Sequence, residues 1–101
     1  MERKNRQGNY FLESIADFQN VEKAKMIQSN CLSIIFVNVG DDIVFITGTK
    51  LLVNRRLEIR QQPGFIDRTQ YQIVFNGVGT NPDLSIFRIL PKNQSKIDVD
   101  E

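Results

Sequence analysis

The sequence contains no histidine and only one cysteine, Cys31. Without histidine it lacks the usual general base, the usual zinc ligand, and the partner that activates a serine or cysteine nucleophile. A single cysteine can form neither an intrachain disulfide nor a thiolate metal cluster. Cys31 adjoins an apolar run, so we interpret it as a small buried hydrophobic residue. These absences argue against catalysis, and we predict no catalytic, cofactor or metal site.

Long apolar runs and a strong net charge are also missing. The 101 residues carry a formal charge of +1, with 41% hydrophobic and 25% charged residues. This composition predicts one soluble domain with no general attraction to nucleic acid or to an anionic membrane. No apolar stretch approaches the ~18–20 residues that cross a bilayer, and the charged start, residues 1–8, is not expected to be a secretory signal.

The first 30 residues predict an N-terminal arm. Residues 1–9 are polar and basic, and Phe11, Ile15 and Phe18 then follow at helical spacing, with Leu12 beside them. This spacing allows a short helix over 11–20, although an extended arm that docks Phe11 and Phe18 separately fits nearly as well. Alternation further on, with Ala24 and Met26 on one face, predicts a half-exposed edge strand over 22–29.

Residues 31–90 have the character of a β-sheet. Apolar runs at 33–39 and 43–47, separated by Gly40-Asp41-Asp42, predict an antiparallel hairpin. Further strands are expected around Leu57 and Ile59, at 71–75 with Tyr71, Ile73 and Phe75 on one face, and at 84–90. Short strands at this spacing predict an all-β fold, a small antiparallel β-sandwich or barrel over 31–90. Residues 91–101 then form an extended C-terminal tail.

The first strand of this hairpin is apolar on both faces. Ile34 and Phe36 point one way, while Ile35 and Val37 point the other. A strand with one covered face would alternate apolar and polar residues. The second face is therefore expected to be covered, either by the Phe11 and Phe18 segment or by a neighbouring subunit.

Other patterns are typical of turns or of surface charge. Gly77-x-Gly79 lacks the rest of a nucleotide-binding motif. Asp67-Arg68-Thr69 is interpreted as a turn in which the aspartate caps backbone N–H groups. One basic cluster contains Lys50, Arg55, Arg56 and Arg60, and it fits a solvated edge, a protein-binding surface or a nucleic-acid contact.

The strand-and-turn succession between Cys31 and Leu90 resembles a known family. Its most characteristic parts are 36–40, 43–48, 57–59, 65–75 and 84–89, including the Asp67-Arg68-Thr69-Gln70-Tyr71 corner. These resemble small β-sandwich virion proteins of crAss-like tailed phages that infect Bacteroidetes, of the auxiliary or decoration capsid type. The resemblance implies a structural role, location in the virion after assembly in the host cytoplasm, and the major capsid protein as partner.

We therefore expect a non-enzymatic auxiliary capsid protein, present in many copies, that binds and stabilises the capsid shell. A head–tail connector or tail adaptor of the same virion, and a small nucleic-acid-binding β-barrel, are the alternatives. No small-molecule substrate or membrane is expected. The predicted partner-binding residues are Phe11, Leu12, Ile15, Phe18, Arg55, Arg56 and Arg60.

Overall fold

The computed structural model describes residues 14–91, which form two four-stranded antiparallel sheets. The strands are β1 Ser14–Val21, β2 Lys25–Gln28, β3 Ser33–Asn38, β4 Val44–Ile46, β5 Thr49–Leu51, β6 Arg56–Arg60, β7 Gln70–Phe75 and β8 Leu84–Pro91. The order is β1-β8-β3-β6 in sheet I and β2-β7-β4-β5 in sheet II. The predicted all-β sandwich is confirmed. Within residues 14–91 no helix could span a membrane.

The connections between the strands define a jelly roll. Apart from the β4–β5 pair, each strand passes to the opposite sheet before the next begins. The resulting orders, with the last strand between the first and third, are those of an eight-stranded double Greek key. Every strand therefore has one face turned toward the space between the sheets.

The core fills that space with alternate residues of the strands. Phe36 of sheet I and Tyr71 of sheet II meet edge to face with ring centroids 5.3 Å apart. The prediction that Tyr71, Ile73 and Phe75 share the inner face of one strand is confirmed, and so is the burial of Cys31, which is 0% exposed. The buried apolar residues are Val21, Ile27, Cys31, Ile34, Phe36, Val44, Ile46, Leu51, Tyr71, Ile73, Leu84 and Ile86.

The possible helix over 11–20 is not formed in its described part. Residues 14–21 are strand β1, which pairs one for one with β8 from Ser14 opposite Pro91 to Val21 opposite Leu84. A helix of ten residues is marginal alone, whereas the ladder with β8 pairs the backbone groups along one side of the whole strand. Residues 1–13, including Phe11 and Leu12, and the tail 92–101 lie outside the described residues.

The sandwich therefore begins before residue 31, because β1 and β2 each form the edge of one sheet. The predicted edge strand at 22–29 exists as β2, but its alternation is shifted by one residue. Ile27 is buried at 3% exposure, while Met26 is 53% exposed. A shift of one residue exchanges the two faces of a strand, so pairing with β7 decides which face enters the core.

The predicted hairpin between 33–39 and 43–47 is wrong. Its two strands, β3 and β4, belong to different sheets, and Gly40-Asp41-Asp42 carries the chain from one to the other. The hairpin lies one strand later, between β4 and β5. Its two turn residues, Thr47 and Gly48, have φ of 46° and 88°. Positive φ at both positions is characteristic of the two-residue type I′ turn.

Candidate interaction surface

The outer face of sheet I carries a continuous group of apolar side chains. Phe18 lies opposite Phe87, which lies opposite Ile35, so three strands contribute to one row. The two phenyl rings have centroids 4.7 Å apart and are tilted by 39°. We call the following five residues the apolar face: Phe18, Ile35, Val37, Phe87 and Ile89.

Much of the apolar face is accessible. Phe18 is 55% exposed, Phe87 45% and Ile89 37%, while Ile35 and Val37 are half-buried. Phe18 lies beside β8 in the same sheet and does not cover β3. Of the two predicted ways of covering the second face of β3, cover by Phe18 is not found: within residues 14–91, Phe18 enlarges the uncovered apolar area. Phe11 lies outside the described residues, and cover by a neighbouring subunit stays a prediction.

A row of charges borders the apolar face on β6. Val37 faces Arg56, Ile35 faces Glu58 and Ser33 faces Arg60. Arg60 Nε donates to Glu58 Oε2 at 2.6 Å, and Arg56 lies 3.6 Å from the same carboxylate. Both arginine side chains remain mostly exposed. We call Arg56, Glu58 and Arg60 the charged border.

The structure brings together only part of the predicted basic cluster. Arg55 lies in the turn before β6, where its carbonyl accepts a hydrogen bond from the Asn38 N–H. Lys50 belongs to β5 of sheet II, so the two sheets separate it from Arg56 and Arg60.

Of the predicted partner-binding residues, Phe18, Arg56 and Arg60 share the outer face of sheet I. Ile15 is 49% exposed but points to the opposite face of β1, in register with Leu90. Arg55 lies outside the face, and Phe11 and Leu12 are outside the described residues. A role in partner binding for Phe11, Leu12, Ile15 and Arg55 stays a prediction.

Sequence reasoning missed the contribution of β8. Phe87 and Ile89 point outward and alternate with the inward positions Ile86 and Arg88. This strand, like β3, therefore has apolar residues on both of its faces. That double pattern was present in the sequence and could have been used. The pairing of β8 between β1 and β3, which makes the patch continuous, has no sequence signal.

A buried carboxylate, Asp67, anchors the connection between β6 and β7. The Tyr71 hydroxyl donates to Asp67 Oδ2 at 2.6 Å, and the Thr69 N–H donates to Asp67 Oδ1 at 2.9 Å. This confirms the predicted capping turn. Burial acts to raise the pKa of Asp67, but hydrogen bonds from Tyr71, Thr69 and Ser29 outweigh it and hold the pKa below its usual value.

The neighbours of Asp67 are correspondingly held in their protonated forms. Burial, reinforced by the Asp67 charge, raises the pKa of Cys31 to about 11. Burial and the hydrogen bond to Asp67 raise the pKa of Tyr71 to about 12. A thiol protonated at neutral pH is a poor nucleophile, so this cluster is suited to holding the fold together.

Arg88 links the two sheets on the other side of this cluster. Its guanidinium donates to Asp17 Oδ2 at 2.6 Å and 2.9 Å, and to the carbonyls of Gln28 and Ser29 at 2.9 Å and 3.0 Å. Asp17 belongs to β1 of sheet I, and Gln28 ends β2 of sheet II. One side chain thus fixes both edge strands relative to each other.

Two further aspartates, Asp41 and Asp42, hold loops in place. Asp41 accepts hydrogen bonds from the Thr80 and Asn81 backbone N–H groups, and Asp42 accepts from those of Ile43 and Gly77. Hydrogen bonds from Asn81 and Thr80 lower the pKa of Asp41. Among residues 14–91 no three His, Cys, Asp or Glu side chains are grouped to hold a metal ion.

Comparison of the chain with protein-family models, with curated proteins and with solved structures gave no match.

Proposed function

We propose that the protein is a non-enzymatic structural component of a phage virion, an auxiliary capsid protein that binds and stabilises the major capsid shell. The observation that carries the proposal is the apolar face on the outside of sheet I. The phage context comes from the strand-and-turn resemblance between Cys31 and Leu90.

The apolar face has the properties of a binding surface. Large contiguous apolar patches are uncommon on proteins that act alone, and they often mark protein contacts. Phe18 and Phe87 stand side by side within it, and large aromatic side chains supply much of the energy in small interfaces. The charged border has one carboxylate for two guanidinium groups, so it suits a partner with an acidic rim.

The fold agrees with this role without assigning it. The jelly roll is used by viral capsid domains but also by lectins and cupins, so the fold alone does not determine function. The interior favours a rigid module, since Arg88 connects the two sheets and Asp67 fixes the segment before β7, both through buried or partly buried hydrogen bonds. A rigid module loses little conformational entropy when it binds, which favours cementing neighbouring capsid subunits.

Binding to purified capsids that lack the protein tests the proposal. We expect the wild-type chain to bind and Phe87→Ser to bind at least about tenfold more weakly, because an anchor of the apolar face is lost. Val74→Ser is the matched control: Val74 is 39% exposed on the outer face of sheet II and should bind normally. Both variants must retain the wild-type far-ultraviolet circular dichroism spectrum.

Copy number separates a decoration protein from the connector of the same virion. Quantitative mass spectrometry of particles should find hundreds of copies, whereas about a dozen would assign the chain to the head–tail junction. Absence of capsid binding, together with binding to single-stranded DNA that weakens steeply with salt, would replace the proposal with a nucleic-acid function.

The contribution of Phe11 and Leu12 can be tested separately. Deletion of residues 1–13 removes both residues and leaves β1 intact. We expect the shortened chain to fold and to bind capsids more weakly. Unchanged binding would show that the sandwich face alone makes the contact.

A further inference from the structure

The two sheets have four edge strands, and β1 differs from the others. An exposed edge presents unpaired N–H and C=O groups, and natural proteins protect such edges with short strands, charges, proline or bulges. Strands β2 and β5 have only four and three residues and carry Lys25 and Lys50. Strand β6 carries the charged border.

Strand β1 is the least protected of the four. It is eight residues long, Ser14–Val21, and contains no lysine, arginine or proline. Its pairing with β8 proceeds one for one along the whole strand, without a bulge. Its only charged residue, Asp17, is already paired with Arg88. Within residues 14–91, the other side of β1 has no partner strand.

We propose that β1 pairs antiparallel with β1 of a second copy of this chain, so that two sheets I join into one eight-stranded sheet across a two-fold axis. This inference does not rest on the proposed function, because it uses the edge strand and not the capsid. A two-fold axis gives each copy the same contact, as is common in homodimers.

The sequence of β1 selects one register for this pairing. Residues that oppose each other across a ladder point to the same face of the sheet. The apolar faces of the two copies therefore lie on the same side of the joined sheet only if outward residues of one β1 oppose outward residues of the other. Two registers near full overlap satisfy this condition. In one, Asp17 opposes Asp17 of the second copy, and like charges directly opposite are unfavourable.

In the other register, Phe18 opposes Phe18 of the second copy. Aromatic cross-strand pairs are favourable, and each Asp17 then faces the neutral Gln19. Because Phe18 already stacks beside Phe87, the four rings form one row across the dimer. The two apolar faces become a single continuous surface on one side of the joined sheet.

The sequence outside the structure favours a second copy over the chain's own N-terminus as the partner. To return along β1, residues 1–13 need a reversal close to Ser14, where the sequence reads Tyr10-Phe11-Leu12-Glu13. These residues are poor turn formers. A reversal at Gly8-Asn9 leaves only seven residues to pair, and three of them, Arg3, Lys4 and Arg6, are basic.

Site-specific cross-linking tests both the pairing and its register. In the proposed dimer the two Phe18 positions are directly opposite, with Cα atoms about 4.5–5.5 Å apart, so Phe18→Cys should form an intermolecular disulfide under mild oxidation. Ala16→Cys is the matched control on the same face. Its two copies are four residues out of step, about 13 Å apart, which a disulfide cannot span.

We expect most of Phe18→Cys and less than about a tenth of Ala16→Cys to migrate as a disulfide-linked dimer. The native Cys31 is 0% exposed and should not contribute. Equal cross-linking of the two variants would overturn the proposed register.

Sedimentation equilibrium decides whether the wild-type chain dimerises at all. Phe18→Lys should weaken the dimer on the order of tenfold or more, because it replaces an aromatic pair with opposed ammonium groups. Deletion of residues 1–13 should leave the dimer unchanged. A wild-type monomer at all concentrations would overturn the proposal, and so would a dimer that appears only after the deletion, since the N-terminus would then occupy the edge.

Discussion

Replacing Tyr71 with phenylalanine removes one hydroxyl from the interior and tests how much the hydrogen bond to Asp67 stabilises the fold. The hydroxyl donates to Asp67 Oδ2 at 2.6 Å, and Asp67 is 4% exposed. The phenyl ring of the variant can keep the edge contact with Phe36, so packing changes little. The substitution therefore isolates the hydrogen bond.

The expected loss of stability follows from the charge of the acceptor. A hydrogen bond to a buried charged group contributes about 1.5–3 kcal/mol, and Asp67 keeps the donor from Thr69. We expect the free energy of unfolding to fall by about 2 kcal/mol. For a domain of this size that lowers Tm by about 8–16 °C.

The pH dependence gives a second, independent readout. The pKa of Asp67 lies below its usual 3.8 in the folded state, so its stabilisation is present above that value and is lost as the pH falls through the folded pKa. The pKa of Tyr71 is raised from 10.0 to about 12, so its stabilisation is present below pH 10.0 and is lost as the pH rises toward 12. The stability difference between wild type and Tyr71→Phe should therefore be constant near neutral pH and narrow at both extremes.

Urea unfolding followed by circular dichroism measures these differences. A double-mutant cycle with Asp67→Asn should give a coupling free energy of at least about 1 kcal/mol, because both changes affect one bond. The reasoning is refuted if Tyr71→Phe costs less than about 0.5 kcal/mol at pH 7, or if its effect does not narrow as the pH is lowered progressively below 3.8.

Three further predictions concern other contacts of the interior. Arg88→Met should lower the free energy of unfolding by about 2–3 kcal/mol, because its carbonyl and carboxylate partners lose their donor. Arg60→Met, on the exposed charged border, is the control and should cost less than about 0.5 kcal/mol in the same urea experiment. Gly40→Ala should lower the free energy of unfolding by about 1–3 kcal/mol, because the added Cβ would overlap the backbone of the 81–83 loop. Gly48→Ala meets no atom and should cost about 1 kcal/mol, because its φ of 88° is unfavourable for alanine. Thermal unfolding of both variants shows whether Gly40→Ala is the more destabilising. Labelling of Cys31 by a thiol reagent should proceed only as fast as the domain opens, and rapid labelling at pH 7 would contradict its burial.

The all-β class could be predicted from the sequence because strand periodicity is local. Tyr71, Ile73 and Phe75 alternate cleanly, and their common inward face was predicted correctly. The hairpin was not, because the direction taken after Gly40 depends on contacts distant in sequence. The Asp41 carboxylate accepts hydrogen bonds from the loop at Thr80 and Asn81, which draws the chain across to the other sheet.

The candidate surface was only partly predictable for the same reason. Phe18 was singled out as an exposed anchor, but helical spacing placed it beside Ile15, whereas a strand puts these two residues on opposite faces. Arg56, Glu58 and Arg60 are every second residue of one strand, so the alternation of side chains along a strand predicts that they share one face. Lys50 was grouped with them because it is near in sequence, and the chain crosses between sheets in the interval.

The double apolar pattern of β3 is the link between the sequence and both proposals. A strand that buries only one face gains nothing from Ile35 and Val37 on the other, and exposed apolar rows promote aggregation. Within the described residues no segment lies over these side chains, and Phe18 continues their row to the edge of the sheet. The exposed area therefore extends to β1, an edge strand with no charged residue on its outer face. A second copy that paired with β1 would satisfy the free backbone edge and extend the apolar face. Phe18→Lys should therefore weaken both the dimer and capsid binding, whereas Phe87→Ser should weaken capsid binding and leave the dimer in place.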